Sequence, residues 1–273
     1  MTSIRMVTKS LYYLLLSLII SFGAAAQLPA CDNQQLNYQP ASPEHLQVLP
    51  DVNDFSVLVW NTYKGKNSSW HQQFTDFSQN IDFMLLQEVS LRQVDAWPYN
   101  AQWFRYQAMA FEWQGDQLGV MNLAKFASDK SCLLLSPEPW IRLPKSALLQ
   151  LYRWQDRELL VINIHSINFT LGDQDYRQQL QQLQSWLNRY QGAMILAGDF
   201  NTWSQGRLTV LQQFVARQQL KTANFEPDLR SHFFGETLDH VFYRGLELKA
   251  STSIATEASD HNALVLRFGF IKR

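Results

Sequence analysis

Met194-Ile195-Leu196-Ala197-Gly198-Asp199-Phe200-Asn201 is the stretch on which the reading of this chain turns. Four apolar residues run into a glycine, a carboxylate, an aromatic ring and an amide. The run has strand length and no polar alternation, so it reads as a strand buried on both faces. The polar residues behind it read as loop chemistry held by a rigid scaffold. The same pattern recurs outward from this segment. Residues 57–60 end in Asn61, 83–86 in Gln87-Glu88, and 159–164 in His165. Leu238 leads into Asp239, and Ser259-Asp260-His261 opens the run 264–270. Further apolar runs lie at 118–123 and 148–152. Residues 173–190 read as a helix, with Tyr176, Leu180, Leu183 and Leu187 spaced three to four apart. Residues 70–79 and 208–219 are two more. Many strands with intervening helices, and no regular βαβ alternation, predict mixed sheets covered by helices. Two such sheets packed face to face would bury the apolar runs.

Composition sets the bounds. The chain has 273 residues, 46% of them hydrophobic and 17% charged. That is enough for a sizeable core and excludes a disordered chain. Two cysteines exclude a disulfide-dense mini-protein and a thiolate zinc finger. A formal charge of −1 argues against a cationic, non-specific polyanion binder.

The first residues do not read as part of the fold. Arg5 and Lys9 precede an apolar run from Leu11 to Phe22, and Gly23-Ala24-Ala25-Ala26 follows. Positive, apolar, then small is the order of a secretory signal, with the cut after Ala26. An uncleaved membrane anchor and a lipoprotein site at Cys31 are the alternatives. Removing residues 1–26, with two cations and no anion, takes the formal charge from −1 to −3. Export, to the periplasm or beyond, would favour a disulfide between Cys31 and Cys132 over two separate thiols. Residues 27–54, rich in Gln, Asn and Pro, read as an N-terminal arm, and 55–273 as one domain.

Taken singly, the strand-end residues have bland readings. An Asn or Asp after a strand is usually a turn residue or a helix cap. His45, His71, His232 and His240 are read as ordinary core or surface residues. The set is different: acids, amides and histidines recur at strand ends of one domain. Carboxylates and amide oxygens without thiolates suit a hard cation such as Mg²⁺ or Mn²⁺. Histidines beside carboxylates suit proton transfer or charge stabilisation. Together these make a phosphoester hydrolase. The sequence holds no Walker loop, no G-x-S-x-G and no H-E-x-x-H, which weighs against an NTPase, a serine esterase and a zinc protease.

Six ordered motifs then carry a resemblance. They are Val59-Trp60-Asn61, Leu86-Gln87-Glu88, Asn163-Ile164-His165, Gly198-Asp199-Phe200-Asn201, Leu238-Asp239-His240-Val241-Phe242 and Ser259-Asp260-His261-Asn262. The chain resembles the endonuclease/exonuclease/phosphatase superfamily, relatives of DNase I and of magnesium-dependent abasic-site endonucleases, and within it a bacterial YafD-like subgroup. The resemblance implies a four-layer α/β sandwich: two mixed, mostly antiparallel sheets packed face to face and flanked by helices. It implies Glu88 as main metal ligand, with Asn61 and Asp260 close to the ion. Asp199 would orient or deprotonate the attacking water, and Asn201 would hold a phosphate oxygen. His261, aligned by Asp239, would contact the scissile phosphate as base or charge stabiliser. His165 would face the same phosphate. The abasic-site branch carries a Tyr and an Asn where this chain has Asn163 to His165, which argues against abasic-site repair.

The resulting expectation is an exported, divalent-metal-dependent phosphodiesterase, monomeric, first of all an endo- or exonuclease. The alternatives are a phospholipid phosphodiesterase of the sphingomyelinase type and a non-catalytic phosphate-binding module. Nucleic acid is favoured over lipid as the bound partner. Trp70, Trp103, Trp113 and Trp203 are candidates for base stacking, with packing the plainer reading. Arg142, Lys145, Arg153 and Arg157 are read first as a solvated face.

Overall fold

The computed structural model describes residues 31, 34–43, 54–154 and 157–271. The expected signal segment 1–26 and His45 lie outside them.

A short strand β1 (Leu36–Gln39) is followed by β2 (Asp54–Asn61), helix α1 (Trp70–Ser78), β3 (Phe83–Ser90), the five-residue helix α2 (Leu91–Asp95), β4 (Phe104–Trp113) and β5 (Asp116–Ala124). Then come β6 (Lys130–Ser136), β7 (Lys145–Trp154), β8 (Arg157–His165), α3 (Gln174–Leu187), β9 (Ala193–Asp199) and α4 (Gln205–Arg217). The C-terminal part holds three two-residue strands, β10 (Lys221–Thr222), β11 (His232–Phe233) and β12 (Glu236–Thr237). It ends with β13 (Asp239–Arg244), β14 (Leu246–Ile254) and β15 (Ala263–Phe270).

These strands form a seven-stranded sheet, β1-β4-β5-β3-β2-β15-β14, and a six-stranded sheet, β10-β13-β9-β8-β7-β6. β11 and β12 pair as a separate hairpin. The pairs β2/β3 and β8/β9 are parallel, and the other ladders are antiparallel. The expected α/β sandwich is the observed architecture.

Why the apolar runs are unbroken is now explicit. Successive strand residues face opposite sides, and here both sides are cores. Val57, Val59, Phe83 and Leu85 of one sheet meet Leu159, Val161, Ile195 and Ala197 of the other. The alternate residues Leu58, Trp60, Met84 and Leu86 face α1 through Trp70, Phe74 and Phe77. On the far side Leu160, Ile162 and Leu196 face α3 and α4 through Leu180, Leu183, Val210 and Phe214. Helix, sheet, sheet and helix make four layers. In α3 the buried residues include Tyr176, Leu180, Leu183 and Leu187, the stripe that the spacing predicts.

A buried polar layer crosses between the sheets. Gln87 Nε2 donates to Asn163 Oδ1 at 2.7 Å, and Asn163 Nδ2 to Asn122 Oδ1 at 2.8 Å. Asn122 Nδ2 donates in turn to Gln150 Oε1 at 2.8 Å. A one-residue slip of either sheet would strand these amides without partners, so the chain of bonds fixes how the sheets align.

The arm closes the open side of both sheets. β1 pairs antiparallel with β4 and forms the edge of the larger sheet. Cys31 is joined to Cys132 on β6, the edge of the smaller one, across a separation of 101 residues. The expected disulfide is present. Among the described residues no helix is long and apolar enough to cross a membrane.

Candidate active site

The parity that builds the inter-sheet core also builds the site. Asn61 continues the face of Val57 and Val59, and Asp199 that of Ile195 and Ala197. His165 continues Leu159 and Val161, and Asp239 precedes Val241 and Tyr243 on the same face. Register lines three of them up, with Asp199 opposite both His165 and Asp239. Where the core ends, polar side chains take over the same direction.

Glu88 needs a separate device. Strict alternation would turn it toward α1. The β3/β5 register shifts between Leu86 and Val89, and Glu88 has φ +49°. Gln87 follows Phe83 and Leu85 into the amide layer by plain alternation, and the bulge swings the Glu88 carboxylate into the cavity. Asn201 also sits at φ +49°, a conformation amide side chains tolerate best after glycine. Gly198, at φ +138°, admits no side chain: a Cβ would stand 2.0 Å from the Ile164 carbonyl oxygen. The close approach of β8 and β9 therefore holds His165 beside Asp199.

Asn61, Glu88, His165, Asp199, Asn201, Asp260 and His261 all line one cavity of about 250 Å³. Asp239 stands behind it. His261 Nδ1 lies 2.7 Å from Asp239 Oδ2, while His261 Nε2 points toward Asp199, 3.8 Å from Oδ2. Asn61 Nδ2 donates to Asp199 Oδ2 at 3.0 Å, and the Asn201 backbone N–H to Oδ1 at 2.9 Å. Asn201 Nδ2 is turned to the Ser166 carbonyl at 2.8 Å. Asp260 is the exposed member, and its backbone carbonyl accepts from the Ser231 hydroxyl at 3.2 Å. The structure thus brings together all eight residues singled out from sequence.

Two lysines join them that the sequence reading did not place there. Lys64 forms an ion pair with Glu88 Oε2. Lys145 Nζ lies 3.9 Å from Glu88 Oε1 and 3.0 Å from His165 Nε2. The solvated-face reading fails for Lys145 because β7 begins beside the end of β8, which aims its side chain at His165. It holds for Arg142, which is exposed, and for Arg153, paired with Glu158 at the opposite end of the ladder. Trp70 and Trp103 are core residues, Trp113 is exposed, and Trp203 lines the cavity. His240 is the buried, bonded histidine expected, with Nε2 2.7 Å from the Thr202 hydroxyl.

Charge in the site follows from burial and partners. Burial pushes Asp199 up, against the pull of His261, to about 6. Burial would lower His261, but Asp239, through charge and hydrogen bond, and then Asp199 and Asp260 raise it to about 10. Burial and then Lys145 hold His165 well below its ordinary value. It is neutral, and Nε2 accepts from Lys145. Burial would raise Glu88, yet Lys64 and Lys145 hold it low. Glu88, Asp199, Asp239 and Asp260 thus share one site with Lys64, Lys145 and protonated His261.

The carboxylates gathered here fit a divalent cation. Two groupings of donors are available. Asp199, Asp239 and His261 offer ligand atoms within 4.8 Å of one another. Protonated His261 has no lone pair to give, however, and its Nδ1 is committed to Asp239. Asn61, Glu88 and Asp260 offer oxygens around the same cavity, the donor type that hard cations prefer.

Residues 58–261 match the model of the endonuclease/exonuclease/phosphatase family. The chain belongs to that family. It is 42% identical over 243 residues to a UPF0294 protein of Vibrio cholerae serotype O1, covering 86% of this chain and 85% of that one. Among solved structures it resembles the sphingomyelinase C of Streptomyces griseocarneus, with a TM-score of 0.58 and 16% identity, over 80% of this chain and 99% of that one. It also resembles D. rerio TDP2 complexed with a single-strand DNA product, with a TM-score of 0.58 and 14% identity, over 79% and 99%. These likenesses establish the shared fold.

Proposed function

We propose that this member of the family is a divalent-cation-dependent phosphodiesterase, with Mg²⁺ as the working ion. The observation that carries the reading is the convergence, in one cavity, of a carboxylate raised to about 6, an imidazolium held by a buried carboxylate, and two ammonium groups. Glu88, Asp260 and the Asn61 carbonyl oxygen would hold the cation, which when bound supplies Lewis-acid polarisation of a phosphoryl oxygen.

The remaining chemistry belongs to the chain itself. Asp199 takes the proton of the attacking water, since it is the group whose affinity for a proton lies near neutrality. As the water oxygen bonds to phosphorus, the bond to the leaving oxygen breaks, and that alkoxide takes its proton from solvent. His261 keeps its proton and offsets negative charge that develops on the phosphorus oxygens, while Asp239 fixes its ring. Lys145 and Lys64 neutralise the non-bridging oxygens. Asn201 offers a second amide hydrogen to the same group.

We also propose that the chain is exported. The basic start, the apolar run and the small residues before Gln27 support it, as does the Cys31–Cys132 bond. Nucleic acid and phospholipid are both diesters that the phosphate centre accepts.

A substrate panel tests the reading. Single- and double-stranded DNA, RNA, sphingomyelin and glycerophospholipids are incubated with Mg²⁺, Mn²⁺ or EDTA. One diester class is cleaved, EDTA abolishes cleavage, and Asp199→Asn or His261→Gln lowers the rate at least ~100-fold. Full activity of either variant would refute the assignment.

A further inference from the structure

Three loops at one end of the six-stranded sheet carry large apolar side chains into solvent. They are residues 137–144 ahead of β7, residues 166–173 after β8, and the β11–β12 hairpin ahead of β13. The ladders place them together: β7 and β13 start where β8 and β9 end. That end is the mouth of the catalytic cavity, and Asn168, Trp203 and Phe233 line it.

Six of the eleven exposed large apolar residues described in the chain sit on these loops: Trp140, Ile141, Phe169, Leu171, Phe233 and Phe234. Leu171 is 82% exposed and Phe234 80%. The tips rest on an ordered base. Buried Glu138 accepts from the backbone N–H groups of Asn168 and Phe169 at 2.7 and 2.8 Å, and Trp203 Nε1 donates to Asn168 Oδ1 at 2.9 Å. Phe234 stands at φ +51°, where an Asn or Gly would cost less. Turn geometry therefore does not account for an aromatic residue there.

The opposite bank of the cavity is different. The turn after β2 carries Lys64, which pairs with Glu88, and exposed Lys66, while on the apolar bank Arg142 stands exposed next to Ile141. Apolar tips with Arg142 beside them, and Lys66 across the cavity, match a surface that is apolar inside and anionic outside. A nucleic acid would call for ring faces alone, but Leu171 and Ile141 have none to offer.

We propose that these loops dock on a lipid bilayer containing anionic phospholipid, their tips entering the acyl region and the cavity facing the headgroups. The diester that reaches the site is then a phospholipid headgroup linkage, a clause that rests on the phosphodiesterase reading above. Docking itself does not depend on that reading.

The test uses the chain as the cell processes it. Vesicles of phosphatidylethanolamine and phosphatidylglycerol with brominated acyl chains are mixed with the protein, and tryptophan quenching is read. The wild type is quenched. Trp140→Phe removes most of that signal, and Leu171→Ser/Phe234→Ser weakens vesicle binding about tenfold. Because the probe sits on a loop tip, an apolar N-terminus inserted in the same vesicle does not mimic the result. Vesicles of phosphatidylcholine alone bind more weakly.

Absence of quenching, or equal quenching of wild type and double variant, overturns docking. So does loss of RNA or single-stranded DNA binding in the double variant without any vesicle effect. That outcome would assign the tips to stacking. In parallel, bis(p-nitrophenyl) phosphate is hydrolysed by the double variant at the wild-type rate, while vesicle-lipid hydrolysis falls at least about tenfold. Failure of the wild type to cleave the soluble diester with any divalent ion overturns the catalytic reading and leaves the quenching result to decide docking.

Discussion

Replacing Asp239 by Asn isolates the charge that holds His261. The ring is raised from 6.5 to about 10 in the folded protein. At about 1.4 kcal/mol per unit, the whole rise corresponds to about 5 kcal/mol of stability. Burial opposes it, and Asp239 is the largest of the raising influences, ahead of Asp199 and Asp260. Assigning Asp239 roughly half gives about 2–3 kcal/mol. A folded value above the unfolded one means that this stability is complete below pH 6.5. It is lost as pH climbs to about 10. Asp199, raised to about 6, is half-protonated at pH 6 and mostly ionised from pH 7 upward, so the interval from pH 7 to 10 isolates the ring. Urea unfolding in EDTA at pH 7, 8 and 10 therefore shows wild type exceeding Asp239→Asn by about 2–3 kcal/mol at pH 7, with the gap closing toward pH 10. The Asn side chain can still accept a neutral hydrogen bond, so a small pH-independent difference persists. A gap that is flat from pH 7 to 10 would refute the argument, because it would mean that His261 carries no extra proton in the folded state.

Other outcomes follow from named contacts. Lys145→Met lets the His165 ring move back up toward its ordinary value, read by imidazole NMR titration, and lowers kcat/KM on a diester at least about tenfold. Arg207→Met leaves the carbonyls of Ile167, Asn201 and Asn168 without their buried donor and costs about 3–5 kcal/mol by urea unfolding. Cys31→Ser with Cys132→Ser opens a loop of 101 residues and lowers unfolding free energy by about 3–5 kcal/mol. Two titratable thiols in the unreduced protein, purified without reductant, would contradict the bond itself.

The strands that were legible in the sequence are those with a core on each face. β2, β3, β8 and β9 show unbroken apolar runs because one set of side chains meets a sheet and the other a helix. β14 was silent for the opposite reason: as an edge strand it alternates Leu246 and Leu248 with exposed Glu247 and ends in small polar residues. β4 carries Arg105 and Glu112 on its partly exposed positions, and β1 exists only through its pairing with β4. α2, at five residues, is too short to show a helical period. The eight site residues could be read because each ends or opens a visible strand. Lys64 and Lys145 could not. One sits in a positive-φ turn and the other begins a strand of the opposite sheet, so nothing local separates them from surface lysines. Gln87 and Asn163 were noticed as parts of motifs, but their bond to each other is decided only when the sheets meet.

One arrangement ties the site to the interior of a sheet. β15 follows β14 in the chain, yet it lies inside the larger sheet, between β2 and β14. Asp260 and His261 immediately precede it. Without β15 the β2 edge stands open and the cavity lacks Asp260 and His261. A product cut before Ala258 therefore loses the imidazole of the site and is prone to pair along that edge.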